Sequence, residues 1–151
     1  MNQFLPPLAD TLYDIAIIGA GITGCAAAFE LSKTGARIAL IDRDGDVAAG
    51  ATRANSGIVH AGYDPLPGTK MARYNVEGNA LIHHYAGELN LPFRETGSLV
   101  LALADGDSAV LQELYRRGLD NGVPGLRLLS AGQARAMEPS LSPEVQGALY
   151  A

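Results

Sequence analysis

Gly19, Gly21 and Gly24, in the run GAGITG, have the GxGxxG spacing that brings a dinucleotide pyrophosphate onto bare backbone. Gly19 permits a tight turn, Gly21 lets a phosphate approach the main chain, and Gly24 allows a helix to lie close on a strand. A helix beginning there adds unpaired N–H groups and a partial positive charge. Asp42, 23 positions after Gly19, supplies a carboxylate that can accept hydrogen bonds from an adenosine ribose. A second stretch, AGATRANSGIVHAGYDPLPG over 49–68, is rich in glycine and small polar residues and lacks periodic apolar positions. Backbone of that kind can lie flat against a broad cofactor where bulky side chains would block it.

These residues need elements to hold them. YDIAIIGAG reads as a short buried strand, an Ile-rich apolar run bounded by turn residues. From Ile22 to Lys33, Ala, Phe and Leu recur at helical spacing, and Gly35 stands where a left-handed residue would end the helix. ARIALIDRD gives a second strand ending near Asp42. Strand, helix and strand in this order form a βαβ unit, whose two strands are parallel with a right-handed crossover.

Beyond Arg43 regular alternation stops and the Gly-rich loop intervenes. A helix is expected from Thr69 to about Asn90, its apolar face built from Met71, Tyr74, Leu81, Ile82, Tyr85 and Leu89. PFRETGSLVLAL reads as two short strands around a Thr-Gly turn, followed by a helix from Ser108 to about Asp120 and a short strand at LRLLS. Ser130 and Gln133 have capping-box spacing for a short helix ending before Pro139, and GALYA begins another strand. The expected class is α/β: a Rossmann-like, parallel dinucleotide-binding portion over 1–92, then the beginning of an α+β domain over 93–151. A two-stranded parallel unit leaves an unpaired edge, so the sequence reads as the N-terminal part of a longer polypeptide.

Composition narrows the class. The 151 residues are 48% hydrophobic with a net charge of −5, enough apolar content for a core and too little charge for disorder. Scattered Lys and Arg argue against a nucleic-acid footprint. A single cysteine, Cys25, excludes an internal disulfide framework and fits a reducing cytoplasm, and three scattered histidines offer no metal-ligand spacing. The start, MNQFLPPLADTLYD, lacks a basic region followed by a long apolar run, and no stretch approaches the length of a membrane span. Surface association with a membrane stays open.

Among dinucleotides, NADP asks for a basic residue at the ribose 2′ position. Arg43 is adjacent, but Asp42 occupies the strand end and would repel a 2′-phosphate. NAD and FAD both tolerate the aspartate. The long second loop favours FAD, whose flavin extends well beyond the pyrophosphate.

With these residues in view, YDIAIIGAGITGCAAAFELSKTGARIALIDRD, then GATRANSGIVHAGYDPLPGTKMARYNVEGN and RETGSLVLAL, resemble the N-terminal region of FAD-dependent oxidoreductases of the D-amino-acid-oxidase superfamily. Within it the sequence is most similar to flavin glycerol-3-phosphate dehydrogenases and L-2-hydroxyglutarate oxidases. The resemblance runs from Tyr13 to Ala151, and NSGIVHAG, PGT and NVEGN are its more specific parts. It implies oxidation of a secondary alcohol on a small anionic substrate, glycerol 3-phosphate first, by hydride transfer to flavin, with electrons passed to a quinone, oxygen or another carrier. L-2-hydroxyglutarate oxidation, amine or amino-acid oxidation, and a noncatalytic FAD-binding fragment are the alternatives.

The resemblance also implies residue roles. Gly19, Ala20, Gly21, Ile22, Thr23 and Gly24 would cradle the pyrophosphate, Asp42 would hold the ribose and Arg43 would flank the adenosine end. Thr52 and Arg53 would approach the phosphates, Asn55, Ser56, Gly57 and Ile58 would run along the flavin, and His60 would come near its ring. A histidine there suits proton transfer from a substrate hydroxyl near neutrality; the plainer alternative is that it only hydrogen-bonds the loop or cofactor.

Other conspicuous residues carry plainer expectations. His83 and His84 are adjacent on one helix and cannot form an i, i+4 metal pair. Cys25 packs at a crowded helix start, without a partner base to make it a nucleophile. Tyr63 and Asp64 belong to turn chemistry, and Arg73 and Arg94 to solvated or ion-paired surface.

Overall fold

The computed structural model describes residues 12–151, and the Pro-containing tail before residue 12 lies outside the described residues. The chain divides into two compact units, Met1–Ile58 and Val59–Ala151.

In the first unit, strand β1 (Ile15–Ile18) leads into helix α1 (Ile22–Ser32), which returns to strand β2 (Ile38–Ile41). The strands are parallel, with Ile15 opposite Ile38 and Ile18 opposite Ile41. The β-branched runs suit a pleated ladder, and flanking bonds lengthen it: Asp14 N donates to Arg37 O at 2.9 Å, and Gly19 N donates to Ile41 O at 2.7 Å. Lys33 caps α1, and Gly35 adopts φ +79°, the left-handed residue expected at this helix end. From residue 42 to residue 58 the backbone runs in turns and bends. Ala20 is the buried residue of this unit among those described.

The second unit contains α2 (Lys70–Glu88), β3 (Leu99–Ala102), α3 (Asp107–Asp120), β4 (Arg127–Ser130), α4 (Ala131–Met137) and β5 (Gly147–Tyr150). Its strands form an antiparallel sheet in the order β3-β5-β4. Leu149 of β5 is paired with Val100 on one side and Leu128 on the other. Because neighbouring residues of a strand point to opposite faces, Leu149 and Ala148 head two different cores. Leu149 packs with Ala102, Leu111, Val123 and Leu126. Ala148 packs with Leu129, Ala134 and Val145. Thr69 caps α2 by accepting from Ala72 N at 3.2 Å. The capping box forms at α4, where Gln133 N donates to Ser130 Oγ at 3.3 Å and Ser130 N donates to Gln133 Oε1 at 2.9 Å.

Two expectations change, and one strand takes a place that its sequence did not specify. PFRETGSLVLAL holds one strand, not two: Gly97 turns at φ +67°, and Ser98 exchanges backbone hydrogen bonds with Ala151 instead of with the segment before the turn. The partner of β3 is thus β5, far along the chain. The buried side of α2 is also different. Ala72 is buried and Val76, one turn on, packs on the core around Leu149, whereas Met71, Tyr74, Leu81 and Leu89 are exposed. The last strand, β5, is central in its sheet and has a neighbour on each side.

Candidate functional site

The glycine turn follows β1 directly. Gly19 adopts φ +102°, a conformation that favours glycine. A β-carbon on Gly24 would stand 1.8 Å from the Gly19 carbonyl oxygen, so the close passage of α1 over the end of β1 requires the missing side chain. At Gly21 a β-carbon would meet Thr52 Oγ1 at 3.2 Å. Gly21 has no side chain to cap α1, and Thr52 serves instead: its hydroxyl accepts from Ile22 N at 3.0 Å across 30 positions of sequence. The next amides of the first turn, those of Thr23 and Gly24, have no acceptor within a helix of this geometry.

Ala20 is the hub of the turn. Its amide donates to Asp42 Oδ2 at 2.5 Å, and its carbonyl accepts from Ala48 N at 2.8 Å and from Cys25 Sγ at 3.3 Å. Asp42 Oδ1 accepts from Asp44 N at 2.9 Å. The amides of Asp44 and Ala20 hold the Asp42 carboxyl below the usual aspartate range. Each carboxylate oxygen keeps lone-pair capacity for a further donor such as a ribose hydroxyl.

The loop after β2 is organised by its own side chains. Asn55 Oδ1 accepts from Gly57 N at 2.6 Å, and Asn55 Nδ2 donates to the carbonyls of Thr52 and Ala51. Gly57 adopts φ +66°. Ser56 and Ile58 are exposed. Arg53 Nη2 lies 3.2 Å from Asp46 Oδ2 and Arg43 Nε 3.8 Å from Asp44 Oδ1, both as exposed pairs. Ala48 adopts φ +59°, unusual for a residue with a side chain, and so presents its amide to Ala20.

The first unit therefore brings together Gly19, Ala20, Gly21, Ile22, Asp42 and Thr52 through direct bonds or close approach. Arg43 and Arg53 have exposed side chains paired with neighbouring carboxylates. His60 belongs to the second unit and is exposed, and its carbonyl accepts from Asn79 Nδ2 at 3.2 Å. Sequence spacing did not reveal Ala48 or the capping role of Thr52, because both depend on long-range backbone approach. Arg73 is paired with Glu77 at 2.7 Å. His83 Nδ1 lies 2.9 Å from Glu95 Oε1 and His84 Nε2 3.5 Å from Glu88 Oε2, so the two rings take different partners. Among the described residues, no cluster of three or more His, Cys, Asp or Glu is placed to hold a metal ion.

Residues 14–151 match the family described as DAO, FAD dependent oxidoreductase. The chain belongs to this family, and the parallel βαβ unit with its glycine turn is the Rossmann-like start of the family fold. The chain is 46% identical over 140 residues to a glycerol 3-phosphate dehydrogenase of Caloramator mitchellensis, covering 93% of this chain and 29% of that protein. It is 32% identical over 142 residues to the mitochondrial L-2-hydroxyglutarate dehydrogenase of Dictyostelium discoideum, covering 93% and 31%. Among solved structures it is similar to dithionite-reduced L-alpha-glycerophosphate oxidase from Mycoplasma pneumoniae with FAD bound, at a TM-score of 0.81 and 30% identity, covering 91% of this chain and 37% of that one. The chain thus spans about three tenths of the length of these curated relatives.

The glycine turn suits the family cofactor. Main chain at Gly21 is free of side-chain bulk, the first-turn amides of α1 offer donors, and Asp42 is fixed at the end of β2 with acceptor capacity to spare.

Proposed function

We propose that this chain supplies the adenosine- and pyrophosphate-binding part of an FAD-dependent dehydrogenase or oxidase that oxidises the secondary alcohol of a small anionic substrate, glycerol 3-phosphate. The observation that carries the cofactor part is the bond from Ala20 N to Asp42, which ties the glycine turn to the ribose-side carboxylate. The similarity to a glycerol 3-phosphate dehydrogenase supports the substrate. L-2-hydroxyglutarate is the second reading, supported by the match to the Dictyostelium protein.

In this reading the turn from Gly19 to Gly24 cradles the pyrophosphate, with the first-turn amides of Thr23 and Gly24 as its donors, Asp42 accepts the ribose hydroxyls and Arg43 flanks the adenosine. Thr52 and Arg53 stand by the phosphates, and Asn55, Ser56, Gly57 and Ile58 lie along the flavin. When bound, the flavin supplies the acceptor for the hydride of the substrate carbon. His60 takes the proton of the substrate hydroxyl, a role suited to an imidazole near neutrality. Residues 1–92 serve the cofactor and 93–151 begin the substrate-binding part.

The electrons then pass to a quinone, oxygen or another carrier, in the cytoplasm. The lone cysteine supports a reducing compartment. Among the described residues no helix is long and apolar enough to cross a membrane. The test is anaerobic addition of glycerol 3-phosphate, L-2-hydroxyglutarate and amino acids to the flavin-loaded enzyme. Bleaching of the flavin by glycerol 3-phosphate at the lowest concentration supports the assignment; preferential bleaching by either of the others overturns it.

A further inference from the structure

His60 opens a short segment that has no regular hydrogen-bond ladder, yet Gly62 and Pro65 within it are buried. Buried carbonyls need donors, and here side chains of two helices supply them. Asn79 Nδ2 of α2 donates to His60 O at 3.2 Å. Asn121, the cap of α3, donates from Nδ2 to Gly62 O and to Pro65 O, each at 2.9 Å. Arg117 Nη1 donates to Asp64 O at 3.3 Å, while its Nε is held by Glu113 at 2.9 Å. Four carbonyls between His60 and Pro65 are thus fixed by three side chains.

Packing restricts the same segment. Gly62 adopts φ +104°, and a β-carbon there would stand 2.8 Å from Val76 Cγ2. At Gly118, a β-carbon would stand 3.0 Å from Tyr63 Cβ. Asn121 Oδ1 is buried without a partner. Leaving a buried acceptor unpaired is costly, and the amide is oriented so that its NH2 group serves the two carbonyls.

We propose that Asn79 and Asn121 are positioning residues for His60: they hold the backbone of 60–65 so that the imidazole is presented in one orientation. The catalytic part of this inference rests on the reading of His60 as proton acceptor; the geometric part does not. Misplacing a catalytic group by about 1 Å can cost as much as 10²-fold in rate, so small shifts of this backbone suffice.

The test combines ring NMR with kinetics in the full chain labelled at histidine Cε1, the His60 line being assigned with His60→Gln. Asn79→Ala removes the Nδ2 donation to His60 O from a half-exposed helix position and is expected to fold. Asn121→Asp keeps shape and removes both donations. The expected result is that both variants shift or broaden the His60 line while the His84 line stays in place. In the flavin-loaded enzyme, kcat with glycerol 3-phosphate should fall about tenfold with KM little changed. A His60 line unmoved in Asn79→Ala overturns the proposal, whatever happens to melting temperature. If His60→Gln leaves flavin reduction intact, the proton-acceptor reading fails, and the ring signal alone decides whether the asparagines position His60.

Discussion

The amide of Ala20 donates to the carboxylate of Asp42 at 2.5 Å, joining the end of β1 to the end of β2 across 22 positions of sequence. The bond fixes the glycine turn against the end of β2. It is stronger when Asp42 is ionised, and the Asp44 and Ala20 amides favour that form. A carboxyl whose folded value is depressed contributes stability that is complete above its unfolded value, near 3.8, and is lost as pH falls through the lower folded value. The amide proton shifts of Ala20 and Asp44 should therefore titrate together with a midpoint below 3.8. A shared midpoint at or above that value contradicts the arrangement.

Gly21→Ala and Gly24→Ala should separate binding from folding. At Gly24 the new carbon meets backbone at 1.8 Å, and backbone cannot swing aside. The expected loss is about 1–3 kcal/mol or more, typical of severe overpacking, seen as a lower thermal midpoint. At Gly21 the contact is 3.2 Å, to a hydroxyl. That variant should keep most of its stability and lose flavin. Equal flavin occupancy in Gly21→Ala and wild type would remove Gly21 from the cofactor site.

Thr52→Val should cost about 1 kcal/mol by leaving Ile22 N without its acceptor, whereas Thr52→Ser should cost much less. Denaturant midpoints of the pair check this. A larger loss in Thr52→Ser than in Thr52→Val would show that the methyl group matters more than the hydroxyl.

In the second unit, Leu149 is fully buried between α3 and its neighbouring strands. Leu149→Ala should destabilise by about 2–5 kcal/mol. Ser130→Ala, which removes one half of the capping box, should cost about 1 kcal/mol. Chemical denaturation followed by circular dichroism measures both, and Leu149→Ala should show the larger effect.

Much of the first unit was legible because its signals are local. Ile-rich runs, the glycine spacing, Gly35 after α1 and Asp42 after β2 each act within a few residues of themselves, and each stands where its pattern placed it. The Ser130–Gln133 box was legible for the same reason. What sequence did not disclose was long-range. Thr52 caps a helix 30 positions away, and Asn121 reaches carbonyls 56 and 59 positions earlier. Neither has a spacing rule. The supposed hairpin around Thr96 and Gly97 failed similarly: a Thr-Gly turn looked sufficient locally, but Ser98 found Ala151 instead. On α2, Met71 and Tyr74 fit the helical period and are exposed, yet Ala72 is buried and Val76 lies close to Gly62, where a β-carbon would stand 2.8 Å from Val76 Cγ2.

The sheet order β3-β5-β4 has a consequence for how the second unit comes into being. β3 and β4 do not pair with each other; both wait for β5, which is made last of the three. On a ribosome, helix α3 can form early, but neither outer strand can close its ladder until Gly147–Tyr150 has emerged. Until then the unpaired edges of β3 and β4 are exposed together, and over this interval the nascent chain is open to edge-to-edge association.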